Sequence, residues 1–515
     1  MESLEPNFTP ARQLFEEIVN WLNSDLVCGL EHSQLENKLF INGNELLRRL
    51  LQGYLDRRKD EHIEEDCFGS DGEKRTHKRQ QSRKLSTIFG EVVVNRIGYG
   101  KRKITSLQPL DGELNLPPEK YSHGLSQRVA QAVAFNGFEQ TVEIIKKTTA
   151  AKVPKRQIEQ LARKSACDFE QFYQQQQTKI NGSQKTGELM VITADGKGVV
   201  MRQEDLRPQT KKRAIESQKK HKKRLSKGQK RNSKRMATVG AVYTINRFRR
   251  TAEQIVNPEE KKSKSLKAPK PEGKRVWASV EKEPKTVITE IFEEAFSRDR
   301  EGEKNWVALV DGNKTQLQLI KNLAQTYQQN VTIVLDLIHV IEYVWKAAFV
   351  FHSPGTPEAE DWVSKHLLEI LKGKSSSVAL KMSDDATLLE LKPEQRCGVD
   401  KCVNYLLNNQ LYLRYDNYLA EGFPIATGVI EGACRHLIKD RMDITGARWS
   451  LKGAEAVLRL RSICVSGDWA EYWQFHMKQE HQRNHRRWYQ NGIPLLKSVL
   501  QASCLTNFTP KQMSI

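Results

Sequence analysis

Three short apolar runs constrain this chain most: LMVITAD (189–195), WVALVD (306–311) and VTIVLD (331–336). Each is nearly continuous rather than alternating, the pattern of strands buried on both faces of a sheet. Each ends in aspartate, which is depleted inside strands. Turn chemistry explains any one of these acids, since Asp195-Gly196 and Asp311-Gly312 are good turn dipeptides. Three together are better explained by parallel strands. The carboxyl ends of such strands share one sheet edge, so Asp195, Asp311 and Asp336 would converge there.

The surrounding pattern agrees with an α/β core over residues 187–355. RMATVGAVYTI (235–245) and VWASV (276–280) are further strand candidates. PKTVITEIFEEAFSRD (284–299) and KTQLQLIKNLAQTYQ (314–328) have helical spacing. The predicted order is β, β, β, α, β, α, β, α. Residues 356–425 are Leu-rich with helical periodicity and read as an α-helical insertion. Residues 426–515 form a last helical region, opened by TGVIEGACRHLIKDRMDITGARWS (427–450).

Upstream, residues 1–83 read as a mainly helical region, with apolar residues at three-to-four spacing through Leu14, Ile18, Trp21 and Leu22. Its charged end, 58–84, is expected to be a loop. In the next region, 84–180, KLSTIFGEVVVNRIGYG (84–100) predicts a β-hairpin around Gly90 and LDGELNLPPEKY a connector. Two helices follow, 138–150 and 155–172, joined at Lys152–Pro154, and Pro154 suits the first turn of the second. Lys155, Arg156, Gln157 and Gln160 stand at its start, where a helix-turn-helix would contact the major groove. The alternative is an ordinary helical hairpin with a solvated basic face.

The 515 residues carry a net charge of +20. Residues 211–235, within an insertion spanning 205–235, hold thirteen Lys or Arg and one Glu, so +12 sits in 25 residues. Such a block repels itself and lacks apolar residues, so it reads as a disordered or weakly helical insertion, with a solvated loop as the bland alternative to a functional role. It predicts a nucleic-acid contact through Lys219, Lys220, Lys222, Lys223 and Arg224, whose affinity would fall steeply with salt. A linker is expected over 257–275. No run approaches the 18 apolar residues of a membrane span, and the N-terminus lacks a secretory pattern. Eight scattered cysteines suit a reducing cytosol. Cys397 and Cys402 have no matching zinc pair. GSQKTGEL (182–189) lacks the Lys-Ser/Thr of a phosphate loop, so ATP use is not expected. His481 and His485, with Arg483, Arg486 and Arg487, are expected to meet phosphate or solvent.

Convergent carboxylates repel. Two charges about 4 Å apart interact by roughly 4 kcal/mol at an effective dielectric of 20. A proton or a cation must relieve this, and hard oxygen donors favour Mg²⁺ or Mn²⁺. On a basic protein, such a cluster suggests phosphoryl transfer on nucleic acid.

ITADGKGVVM, ALVDGNKTQLQLI, VLDLIHVIEYVWKAA and TGVIEGACRHLIKDRMDITGARW, in this order, resemble the blocks of bacterial insertion-sequence transposases of the DDE type. The resemblance is to the ISKra-type group and, more distantly, to Mutator-like transposases, and spans roughly residues 85–475. It implies an RNase H-like catalytic domain with an α-helical insertion before the last acid. It implies catalytic, metal-holding Asp195, Asp311 and Glu431 with two Mg²⁺ (or Mn²⁺) ions. Water would nick the DNA at the element's end, and the freed 3′-hydroxyl would attack target DNA. Asp336 and His339 form an Asp-x-x-His near the site, and Asp336 replaces Asp311 if the strand count shifts by one. Asp440 and Asp443 are alternative third acids. Arg435 and Lys439, four apart, would share a helix face toward phosphate. Arg448 would contact DNA. Trp449 would stack on an unpaired base, or else belong to the core. The implied partners are terminal inverted repeats, target DNA and further copies of the chain, in a bacterial cytoplasm near the nucleoid. The rivals are a structure-selective nuclease of the same fold and a domesticated, non-catalytic DNA-binding protein.

Overall fold

A computed structural model describes residues 6–179, 186–220, 233–257, 267–444 and 446–497. The chain forms two compact units, one holding the described residues up to Phe172 and from Asp468, the other Tyr173–Gly467. Among the described residues, no helix is long and apolar enough to cross a membrane. Parts of the basic block (221–232), the linker (258–266) and the GSQKTGEL segment (182–185) lie outside the described residues.

The first unit is built on a three-stranded antiparallel sheet, β1 (His77–Thr87), β2 (Gly90–Lys101) and β3 (Ile104–Leu107). The predicted hairpin turns at Gly90. The expected loop over 58–84 is corrected, because β1 begins at His77. Its first half, HKRQQSR, is polar and mostly exposed, and it is a strand because β2 pairs with it residue for residue. The hairpin shares a core with the helix His32–Arg57, where Leu55 packs with Leu85, Val92 and Val94. Gln52 also exchanges hydrogen bonds with the backbone of Val93, at 2.8 and 3.0 Å. Regions 1–83 and 84–180 therefore do not divide between these elements. The Pro/Gly-rich connector opens with a short helix, Pro109–Glu113.

Helices His123–Phe135, Phe138–Thr148 and Lys155–Ser165 pack on one another. Pro154 stands at the N-cap, one residue before the first helical turn. The C-terminal helix Trp469–Asn484 belongs to this unit rather than to the region that opens at 426. Its Tyr472 hydroxyl donates to the Ser165 carbonyl at 2.7 Å.

The second unit contains a five-stranded mixed sheet in the order β6-β5-β4-β7-β8. The strands are β4 (Leu189–Val200), β5 (Lys234–Ile245), β6 (Glu272–Ser279), β7 (Asn305–Val310) and β8 (Val331–Leu335). β4 runs parallel to β7 and β7 to β8, while β5 is antiparallel to both its neighbours. The five strands come in the predicted order, but the prediction missed two helices: Pro208–Lys220 between β4 and β5, and Ala252–Val256 between β5 and β6. The described start of the basic block is helical, one of the two states expected of it. Its first ten residues continue the helix Pro208–Lys220, which includes Lys219 and Lys220, and its last two open β5. Lys222, Lys223 and Arg224 lie outside the described residues.

After β8 the helix Leu337–Phe351 begins. Helices Pro357–Leu371, Ser375–Leu388, Cys397–Asn408 and Tyr415–Ala420 fill the predicted helical insertion. The chain returns to the sheet in Gly428–Ala433, which continues as a π-helical turn, Cys434–Lys439.

Candidate active site

Strand register sets the acids level with one another. The last parallel pairs are Thr193 with Leu309 and Val310 with Leu335. Asp195 and Asp311 each lie two residues past the first pair. Asp311 and Asp336 each lie one residue past the second. Three adjacent strands thus present an acid at the same height. The expectation that Asp195 ends its strand is corrected. β4 continues to Val200, because the antiparallel β5 pairs with it throughout, and Trp449 accepts and donates backbone hydrogen bonds beyond. Asp195 stands where the parallel neighbour stops.

One narrow cleft is lined by Asp195, Asp311, Asp336, His339 and Glu431, with Thr193 and Thr427 between them. Among the described residues, none of the four carboxylates pairs with Lys or Arg. Asp195 accepts from the Gly196 N–H at 2.5 Å and from the Cys434 thiol at 3.1 Å. Asp311 accepts from the Asn313 N–H at 2.8 Å. Burial, reinforced by Asp336, Glu342 and Asp195, pushes the Glu431 carboxyl above its usual range. The Thr193 hydroxyl is buried and has no hydrogen-bond partner among the described residues. This is an acidic cleft with no Lys or Arg paired to its carboxylates among the described residues, and His339 offsets only part of the Glu431 shift.

Asp336 differs from the others. It is 1% exposed, and both its oxygens are engaged. One caps the Leu337–Phe351 helix at the Ile338 N–H (3.1 Å) and accepts from the Thr427 N–H (3.2 Å). The other accepts from the Thr427 hydroxyl. Asp336 therefore ties the end of β8 to the segment that carries Glu431, four residues after Thr427. His339 Nε2 lies 4.0 Å from Asp336, and its Nδ1 lies 4.0 Å from Glu342.

The remaining predicted residues are dispersed. Asp440 faces His436 at 3.0 Å, is exposed and does not line the cleft, and nor does Asp443. Arg435 and Lys439 are both exposed, but the π turn between them replaces the α-helical spacing that was expected to align them. Arg448 is exposed. Trp449 is 5% exposed, donates from Nε1 to the Met442 carbonyl at 3.0 Å, and lies beneath Arg441. Its burial favours the core role over base stacking. Lys155 and Arg156 are exposed at the start of their helix, and Lys155 reaches Glu139 at 2.5 Å.

His485 is buried and His481 half-buried, so neither is the free surface histidine that was expected. Their Nε2 atoms bond the carbonyls of Gly112 and Leu116, both at 2.8 Å, and burial lowers both pKa values. Cys397 is exposed on the Cys397–Asn408 helix, whereas Cys402 is buried.

Thr193, Thr427, Cys434 and Tyr405 were not anticipated. Cys434 follows Glu431 by three residues and Thr427 precedes it by four, so helical spacing alone would have grouped them. Tyr405, whose hydroxyl donates to the Asp311 carbonyl at 3.0 Å, comes from the helical insertion, and nothing in its sequence surroundings marks it.

The first unit holds another cluster that the sequence did not reveal. Cys167, Asp168 and His476 have ligand atoms within 4.8 Å of one another. Asp168 is already occupied, 2.6 Å from His476 Nδ1 and paired with Arg483. Glu480 pairs with Lys164 at 2.8 Å and with Arg483. This cluster is a neutralised ion network.

The chain is similar to known proteins over part of its length. The model of an uncharacterised protein family (UPF0236) matches residues 26–237, a span that includes Asp195 and stops short of Asp311 and Glu431. No curated protein matches the chain.

Proposed function

We infer that the chain is a DNA transposase of the DDE type with an RNase H-like catalytic domain, acting through Asp195, Asp311 and Glu431. The observation that carries this reading is the set of carboxylates level across three strands, uncompensated by Lys or Arg, in a chain of net charge +20. A basic protein that concentrates negative charge at one cleft has a partner for each sign, a polyanion and a cation. The mixed sheet, with a helical segment interposed before the last acid, supports the RNase H-like reading.

The donor set fits a hard divalent cation. It offers carboxylate oxygens, a Glu431 carboxyl raised by burial and neighbouring acids that His339 only partly offsets, and a Thr193 hydroxyl without a partner among the described residues. Asp195, Asp311 and Glu431 would hold Mg²⁺ or Mn²⁺, which supplies activation of a hydroxyl and charge stabilisation at phosphate. The chain's own residues do the positioning. The Cys434 thiol and the Gly196 N–H fix the Asp195 carboxylate. Asp336 is buried and both its oxygens already accept hydrogen bonds that anchor the Glu431 segment, which favours the half-exposed Asp311 as the second acid. Arg435 and Lys439 are exposed a few residues after Glu431, from where either could reach phosphate, although the π turn does not align them on one face. Joining two DNA ends calls for at least two copies of the chain.

The test is purified protein with labelled duplexes carrying the ends of its element. Mg²⁺-dependent nicking and strand-transfer products are expected, and Asp195→Ala, Asp311→Ala and Glu431→Ala should each abolish both. Nicking without joining would favour a structure-selective nuclease. End binding with no cleavage under any metal would favour a non-catalytic DNA-binding protein. Nicking that survives all three substitutions would overturn the assignment.

A further inference from the structure

Beside the acidic cleft lies an open groove of about 680 Å³, and its lining carries cationic, aromatic and amide groups. It begins at Gly312, the residue after Asp311. Gly312 has φ +89°, and a Cβ there would come within 3.3 Å of the Tyr405 ring, so glycine keeps this junction open.

Two helices form its walls. Lys314 and Lys321, seven apart, stand on one face of the helix Lys314–Thr326. Lys401, Asn404, Tyr405 and Asn408 stand on one face of the helix Cys397–Asn408. The three lysines are exposed and make no ion pair among the described residues, and no Asp or Glu lines the groove. Tyr405 stacks on Tyr343 with centroids 4.0 Å apart, which fixes its ring. Tyr412 closes the end, with Lys321 over its ring at 5.4 Å.

Each group suits one part of a nucleotide. Unpaired lysines attract phosphate, tyrosine rings offer stacking faces, and exposed amides pair with base edges. A duplex needs no aromatic surface, because its bases are already stacked. We propose that this groove holds an unpaired stretch of the DNA strand leading from the acidic cleft, with phosphates on Lys314, Lys321 and Lys401 and a base on Tyr412. The proposal rests on the phosphoryl-transfer reading of the cleft, and it adds a site for single-stranded DNA and the residues that form it.

The test measures binding without divalent metal. Fluorescence anisotropy in EDTA compares a blunt duplex with the same duplex bearing a three-nucleotide single-stranded extension. The full chain should bind the extended form about five- to hundredfold more tightly, the range for stacking one base. The double variant Lys321→Ala/Tyr412→Ala should lose that preference while holding the blunt duplex within about twofold. In the unaltered chain, 5-iodouracil in the extension should photocrosslink to the peptide containing Tyr405 and Tyr412. Equal binding of both duplexes, or crosslinks confined to other segments, would overturn the proposal. So would competition by an RNA strand or an acidic peptide that exceeds competition by single-stranded DNA. Absence of the preference in the unaltered chain, with Mg²⁺-dependent nicking intact, would reject the groove alone. A retained preference with no nicking would support the groove and reject the reading of the cleft.

Discussion

The two units each gather carboxylates, and they treat them in opposite ways. In the first, Asp168 and Glu480 are 4% and 0% exposed, and His476, Arg483 and Lys164 surround them. In the second, Asp195, Asp311 and Glu431 meet with no Lys or Arg paired to them among the described residues. Like charges gathered at partly exposed positions repel one another, so a fold that holds them together without a basic partner has usually left them for a ligand. The compensated network holds an element in place, while the uncompensated one is available for chemistry. Direction of pKa follows the same division. Burial raises the carboxyls in both places. In the first unit His476, Arg483 and Lys164 outweigh it and hold Asp168 and Glu480 below their ordinary values. At Glu431, neighbouring acids add to it.

The contrast breaks most visibly on substitution. Glu480→Ala takes one carboxylate from Arg483 and Lys164, which keep Asp168 and Glu119, and should destabilise the protein by about 1–3 kcal/mol in urea unfolding. A loss below about 1 kcal/mol would show that the network is not structural. Asp311→Asn should do the reverse, lowering metal-dependent nicking about 10²–10³-fold while leaving the unfolding midpoint nearly unchanged. Asp336→Asn separates the two roles within the cleft. It should lower stability by about 1–2 kcal/mol, because a helix cap and the Thr427 anchor are weakened together.

Acid sharpens the comparison through the sign of each shift. Asp168 and Glu480 have depressed folded values, so their stabilisation is fully present above the unfolded carboxylate range near pH 4. It is lost as pH falls through the depressed values. The destabilisation by Glu480→Ala should therefore shrink between pH 7 and pH 3. Glu431 is the opposite case. Its raised carboxyl favours the protonated form, and that advantage is lost as pH rises through the raised value. Glu431→Gln should thus stabilise the metal-free protein slightly at pH 7, by less than about 0.5 kcal/mol given its exposure, and not at pH 4. A clear loss of stability at pH 7 would mean that the Glu431 charge is compensated after all.

The core of the second unit was legible because buried parallel strands must be apolar throughout. LMVITAD, WVALVD and VTIVLD announced themselves, and register then placed their acids together. The polar half of β1 was not legible. Hydrophobic pattern does not register a strand that pairing with a neighbour creates, and His77–Arg83 is such a strand. The extension of β4 through Gly196 and Gly198 was hidden for the same reason, since the two glycines read as a turn. Residues that meet only after folding were beyond reach. Asp168 and His476 are 308 positions apart, and Tyr405 reaches Asp311 from a separate helical segment. The histidines of the last helix were misread because solvent, phosphate and a buried carbonyl all leave the same trace in sequence.

Iron-directed cleavage tests the central claim most directly, because it locates the cation without requiring turnover. With Fe²⁺ in place of Mg²⁺ and ascorbate present, the account predicts backbone cuts in the full chain next to Asp195, Asp311 and Glu431. Excess Mg²⁺ should suppress these cuts and Asp195→Ala should abolish them. Cuts centred on Cys167 and His476, or cuts at the cleft that survive Asp195→Ala, would contradict it.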